Sequence, residues 1–209
     1  MDKGTKIFCI GLNKTGTTSL HSAFELLGYR SVHFEDRDGR NIQDIIRSNH
    51  EQGLPILRGI EDFDAYSDWI TDEPEAVFPK FDAEYPGSKF ILHTRDMAGW
   101  LRSREKHVKR NQKEFAETKD PKITWLEIDL VGWEAHYKAY HKAVREHFKG
   151  REMDLLELDV TQGDGWELLC PFLGVKAPNV PFPVANVAPP ANPPVGSVPE
   201  KSLWKKLFR

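Results

Sequence analysis

The stretch Ile7-Phe8-Cys9-Ile10-Gly11-Leu12-Asn13-Lys14-Thr15-Gly16-Thr17-Thr18-Ser19-Leu20 constrains this chain more than any other. Ile7 to Ile10 form an unbroken apolar run, the pattern of a short strand buried on both faces. Gly11 and Gly16 bracket a loop. Thr17, Thr18 and Ser19 then open a helix whose apolar positions Leu20, Phe24 and Leu27 recur at helical spacing, with Gly28 placed to end it. The first turn of a helix presents N–H groups without intrahelical partners and a partial positive charge, so it is a natural anion site. A bare turn needs one glycine. It does not need a lysine and several hydroxyls beside a helix N-terminus.

The remaining chain alternates strand and helix patterns. Strands are predicted over 30–34, 88–93 and 154–158, with another at either 55–60 or 63–67. Helices are predicted over 41–52, 74–85, 97 to about 117, 125–148 and 166–173, the second kinked or split by Pro79. This alternation implies βαβ units and a mainly parallel sheet, whose ligands bind beyond the C-terminal strand ends. Lys14, His33, Asp68 and Arg95 follow strands and are the residues to inspect.

At 209 residues the length suits one α/β domain, expected over 1–177. Residues 178–209 read as a proline-rich extended tail ending in a short basic amphipathic helix over 199–209. That helix, with Leu203, Trp204, Leu207 and Phe208 among basic residues, would contact an anionic membrane or a partner, or dock on its own domain. The net charge of −3 gives no global field that calls for nucleic acid. Cys9 and Cys170, the two cysteines, read as reduced core thiols. No apolar run approaches membrane-spanning length, and residues 1–6 are too polar for a signal peptide, so a cytoplasmic protein is expected. The histidines lack metal-ligand spacing, and no metal is expected.

The loop resembles a P-loop, with a departure. The nucleotide-hydrolase form places lysine directly after the second glycine. Here Thr17 holds that position and the lysine lies within the loop at Lys14. Lys14-Thr15-Gly16-Thr17-Thr18 instead resembles the 5′-phosphosulfate loop of sulfotransferases that use 3′-phosphoadenosine 5′-phosphosulfate (PAPS). Arg95, after the 88–93 strand, and Ser103 on the next helix resemble that family's 3′-phosphate signature. The physics agrees, because arginine offers a planar fork of donors to a phosphate dianion and a serine hydroxyl adds one more. Phe63 to Trp69, Tyr85 to Leu92, Gly163 to Trp166 and Cys170 to Gly174 extend the likeness to the compact, bacterial-type branch.

The resemblance implies a P-loop-type three-layer α/β/α fold and sulfuryl transfer from PAPS to a hydroxyl or amine of a small molecule, carbohydrate or lipid. It implies cofactor contacts from Asn13, Lys14, Thr15, Gly16, Thr17, Thr18, Ser19, Arg95 and Ser103, with Lys14 neutralising the leaving phosphate. Ser67-Asp68-Trp69 sits where cytosolic members carry a histidine base, although Ile70 replaces their proline, so Asp68 is the first candidate base. His33 is the alternative, because imidazole as a side-chain type titrates nearer neutrality than a carboxylate. Arg102, Arg104, Lys106, Lys109, Arg110 and Lys113 crowd the helix after Arg95 and read by default as a solvated face. Arg102 or Arg104 lining the cofactor phosphate, or a mouth that admits an anionic acceptor, is the other reading. Two competing functions remain: a small-molecule or nucleotide kinase on the same loop, and a non-catalytic anion-binding module with a membrane- or partner-binding terminal helix.

Overall fold

The computed structural model describes residues 5–70 and 74–185. Five parallel strands form its centre: β1 (Ile7–Cys9), β2 (Ser31–His33), β3 (Ala65–Ser67), β4 (Lys89–His93) and β5 (Leu155–Leu158), in the order β2-β3-β1-β4-β5. The helices are α1 (Thr17–Leu26), α2 (Ile42–Glu51), α3 (Pro74–Glu84), α4 (Met97–Thr118), α5 (Leu130–His147) and α6 (Trp166–Leu173).

Strand alternation sorts the core into two halves. Ile7 and Cys9 face α1 and α6, packing with Leu20, Phe24, Leu169 and Leu173. Phe8 faces the other way, toward α2, α3 and α5, among Ile46, Phe81, Tyr140 and Val144. Its ring lies 4.4 Å from that of Phe81. The molecule therefore has the three-layer α/β/α architecture expected of a P-loop-like fold. From β1 the chain goes out to β2 and β3 on one side, then crosses to β4 and β5 on the other. The loop after β1 thus stands at the topological switch point, where such sheets bind ligands.

Several predicted bounds change. Of the two alternatives for the third strand, the sheet uses residues within 63–67, and 55–60 forms turns. α3 runs unsplit through Pro79. That proline stands in the middle of the helix, where its missing N–H removes a single hydrogen bond to the preceding turn. The 125–148 helix begins only at Leu130, because the Asp129 carboxylate caps it by accepting the Gly132 N–H at 2.9 Å. Upstream, Trp125 has φ +58°, which helix cannot accommodate.

Residues 178–185 have no helix or strand but are packed: the Trp166 indole donates to the Val180 carbonyl at 2.8 Å, and Phe182 sits 4.7 Å from the Trp166 ring. The amphipathic helix expected over 199–209 lies outside the described residues. Cys9 and Cys170 are buried free thiols. Among the described residues, no helix is long and apolar enough to cross a membrane.

Candidate active site

The β1–α1 loop is pressed against the end of β4. A Cβ on Gly11 would fall 1.9 Å from the His93 carbonyl oxygen. Gly16 takes φ +98°, and a Cβ there would meet Val160 at 2.2 Å. Only glycine fits either position. Gly16 is also the N-cap of α1 and has no side chain with which to cap it, so the first-turn N–H groups keep their anion-binding character. Lys14 adopts φ +68°, in the left-handed region that side chains rarely occupy.

Thr15 is buried and braces the loop. Its hydroxyl donates to the Leu12 carbonyl and accepts from His93 Nδ1. Ser19 is nearly buried, and its hydroxyl accepts the Ala185 N–H at 3.0 Å, tying residues 178–185 to α1. The side chains of Thr15 and Ser19 therefore serve the architecture, whereas Lys14 is half-exposed and the buried Thr17 hydroxyl is turned to His33. α5 supports both strand ends from below. Tyr140 donates to the Ile10 carbonyl at 2.6 Å, and Tyr137 donates to the Arg95 carbonyl at 2.7 Å.

Both candidate bases meet at the loop. His33, ending β2, places Nε2 3.0 Å from the Thr17 hydroxyl and 3.5 Å from Asp68 Oδ2. Asp68 follows β3 with φ +57°, and burial pushes its carboxyl pKa up, against the opposing pull of His33 and Lys14. The Lys14 amine is held below its ordinary pKa by burial, then by repulsion from Arg110 and Arg95, with Asp68 opposing. A groove of about 300 Å3 runs along edge strand β2 and opens at His33, with His21, Tyr29, Ser31, Glu35 and Phe63 in its walls.

Arg95 follows β4, which pairs directly with β1. Asp96 caps α4 by accepting the Gly99 N–H at 2.7 Å. The Arg95 Nε lies 3.0 Å from where a Gly99 Cβ would be, so the side chain lies back along α4. That Nε is buried and has no hydrogen-bond partner. Ser103 is half-buried and one helical turn beyond Gly99 on the same face. Candidate anion-binding groups thus stand at the β1 end and at the neighbouring β4 end.

A family model described as a sulfotransferase domain matches residues 6–130 and 127–189, nearly the whole described chain. The chain belongs to the sulfotransferase family. Within it, this sulfotransferase is similar to "Ava biosynthesis cluster protein M" of Aspergillus versicolor, at 27% identity over 216 residues, covering 85% of this chain and 79% of that one.

The sequence of this sulfotransferase offers Arg104 by default to a solvated face, with a ligand-lining position for Arg102 or Arg104 as the other reading. The structure turns Arg104 inward, where Nη1 donates to Asn13 Oδ1 at 3.3 Å. Trp100, one turn earlier, donates its indole N–H to the Asn13 carbonyl at 2.8 Å. The i, i+4 spacing of Trp100 and Arg104 was the available signal. Nothing local to Trp125 or Trp133 announced that they would join this contact.

Proposed function

We propose that this sulfotransferase moves a sulfuryl group from PAPS to the hydroxyl or amine of a small-molecule acceptor. The observation that carries the reading is the pair of anion sites at adjacent strand ends. Lys14 and the α1 N-terminus form one, and Arg95 with its buried unpartnered Nε forms the other. A donor with charged groups at both its 5′ and 3′ positions fits two such sites, whereas ATP leaves the second without a partner. The residues therefore fit PAPS. Lys14, Gly16, Thr17 and Thr18 with the first-turn N–H groups would hold the 5′-phosphosulfate, and Arg95 with Ser103 the 3′-phosphate.

PAPS, when bound, supplies the activated sulfuryl group. The His33–Asp68 pair takes the acceptor's proton. The freed oxygen or nitrogen electron pair forms the new bond to sulfur as the sulfur–oxygen bond to the 5′-phosphate breaks. Lys14 and the helix N-terminus stabilise the negative charge that builds on the leaving phosphate oxygen. Thr17, hydrogen-bonded to His33, ties the base to the anion loop. The groove beside β2 leads an acceptor to His33. The similar fungal protein is named for a biosynthesis cluster, which supports a small-molecule acceptor over a macromolecule. The two buried free thiols support a cytoplasmic setting.

Calorimetric titration with adenosine 3′,5′-bisphosphate, beside ATP with magnesium, tests the donor. Tight bisphosphate binding without metal, and at least ten-fold weaker ATP binding, is the expected result. Preference for ATP with magnesium would overturn the reading in favour of a kinase.

A further inference from the structure

We propose that Arg104 is a positioning residue that locks Asn13, and through it fixes the turn that presents Lys14. This rests on the reading of Lys14 as the residue at the transferred group.

Arg104 is enclosed by aromatic rings on three sides. Its guanidinium carbon lies 5.4 Å from the Trp100 ring centre, 4.7 Å from that of Trp125 and 4.8 Å from that of Trp133. No carboxylate pairs with it among the described residues, and its Nε is buried without a partner. Burial pushes its pKa down. Desolvating a guanidinium without an anion is costly, and indole faces offset only part of that cost. An arginine on α4 that served only solubility would extend into water, as Arg102 does.

The desolvated fork is aimed at one target. Asn13 is held twice from α4, by Trp100 at its backbone carbonyl and by Arg104 at its side-chain oxygen. The next residue is Lys14, in its left-handed turn. With Asn13 held at two atoms and Thr15, on the other side, held by the Leu12 carbonyl and His93, Lys14 cannot relax to an ordinary φ without breaking one of these bonds.

The third wall of the cage is itself held under strain. Trp125 has φ +58°, a genuine outlier for a bulky residue. Asn111 donates to the Thr124 carbonyl and Gln112 to the Leu126 carbonyl, each at 2.7 Å, pinning the backbone on both sides of the ring. Two side chains of α4 thus keep the indole over Arg104, and His107 closes the edge with its ring 5.1 Å from Trp125.

The repulsion felt by Lys14 comes from Arg110 on α4 and Arg95 after β4, with Asp68 after β3 opposing it; Arg104 is not among its sources. His107 faces Lys14 as well, its own pKa lowered in part by the lysine. Arg104→Lys, which keeps the charge and loses the fork, separates an effect on the Lys14 titration through loop geometry from one through lost charge.

The test follows the Lys14 amine by NMR in the reductively 13C-methylated full-length protein, comparing Asn13→Ala, Arg104→Met, Arg104→Lys and the Asn13→Ala/Arg104→Met double variant. Each single variant is expected to free the loop and move the Lys14 pKa upward toward that of an exposed lysine. Arg104→Lys keeps the charge and loses the fork, so it should not restore the native value. The double variant should shift no further than the larger single one. Additive shifts, or an unmoved Lys14 beside a lowered melting temperature, would overturn the proposal and leave Arg104 as packing alone.

With PAPS turnover as second readout, Arg104→Met should lower kcat at least ten-fold while KM for PAPS stays within three-fold. A wild-type protein that neither binds nor turns over PAPS would defeat the functional reading. The Lys14 titration would still decide the role of Arg104.

Discussion

Three residues at the mouth of the sheet hold backbone angles that side chains rarely adopt: Lys14 at φ +68°, Phe34 at φ +60° and Asp68 at φ +57°. Each such residue costs roughly 1–3 kcal/mol and persists only where its surroundings impose it. Lys14 follows the doubly held Asn13, and Asp68 is turned toward His33 and Lys14. The candidate site is thus set before any ligand arrives, as the role proposed for Lys14 requires, because a fixed cation stabilises charge that appears only during reaction. Lys14→Ala is expected to lower transfer by about 10²–10³-fold, the range for losing one such donor. Its melting temperature should fall by only a few degrees, because the side chain is half-exposed and fills no core space; a variant that turns over normally would remove Lys14 from the mechanism. The acid–base behaviour gives a second check. Burial and the Arg110 and Arg95 charges lower the Lys14 pKa, so the amine loses its proton at lower pH than a free lysine. Activity should then decline on the alkaline side earlier than an exposed lysine would allow. Arg110→Gln removes one repulsion and should move that alkaline limb to higher pH. A limb that stays in place would mean another group governs it.

α4 does more for the site than any other helix. Its N-terminus carries Arg95 and the Asp96 cap, its second turn grips Asn13, and its fourth brings Arg110 within reach of Lys14's field. Gly99 shows how closely these functions are packed. Replacing a helical glycine by alanine normally gains about 1 kcal/mol. Here the new Cβ would lie 2.3 Å from Asp96 Oδ2 and 3.0 Å from Arg95 Nε, displacing a cap whose loss costs about 1 kcal/mol. The two effects nearly cancel, so Gly99→Ala should leave the melting temperature close to wild type. Its affinity for adenosine 3′,5′-bisphosphate should fall at least ten-fold while that for ADP changes little. Equal losses for both ligands would detach Arg95 from the 3′-phosphate. This helix also marks where sequence reasoning stopped. The β1–α1 loop was legible because glycine spacing and helix amphipathicity act over a few residues. The places of Arg95 after a strand and of Ser103 on the next helix were legible from the strand and helix periods, while their pairing rested on the family resemblance. Arg104 was not, since six basic residues on one helix share a composition and only the distant rings of Trp125 and Trp133 draw one of them inward. The false start of the 125–148 helix has the same origin: Trp125 fits a helical period, but its backbone is held by Asn111 and Gln112 from another element. Ser19 sat in the expected motif, yet its hydroxyl serves Ala185, a contact spanning most of the chain.

Across the whole molecule the anion loop depends on a neutral core histidine. Thr15 has one hydroxyl proton and gives it to the Leu12 carbonyl, so it can only accept from His93, whose Nδ1 therefore carries the hydrogen. Nε2 is left bare in the interior without a partner. Burial pushes the His93 pKa down to about 3, and His141, nearly buried against Tyr137, is pushed to about 4. Both values lie below the 6.5 of an unburied histidine. The unfolded chain therefore binds protons first as pH falls. The stability these residues retain above pH ~6.5 is lost progressively below it, down to their folded pKa values, at about 1.4 kcal/mol per pH unit for each fully buried site. A domain of ordinary stability, roughly 5–15 kcal/mol, feels two such sites strongly. The melting temperature should consequently drop steeply between pH 7 and pH 5. His93→Asn supplies an amide donor in place of the Nδ1 hydrogen and removes the titration. It should melt lower at pH 7, because the smaller side chain packs less well, yet with a flatter dependence on pH. A slope equal to wild type would mean that His93 is not held neutral in the fold. Because the same imidazole braces Thr15 and backs Gly11, loss of bisphosphate binding on acidification should follow the unfolding curve itself in wild type, and its midpoint should shift to lower pH in His93→Asn.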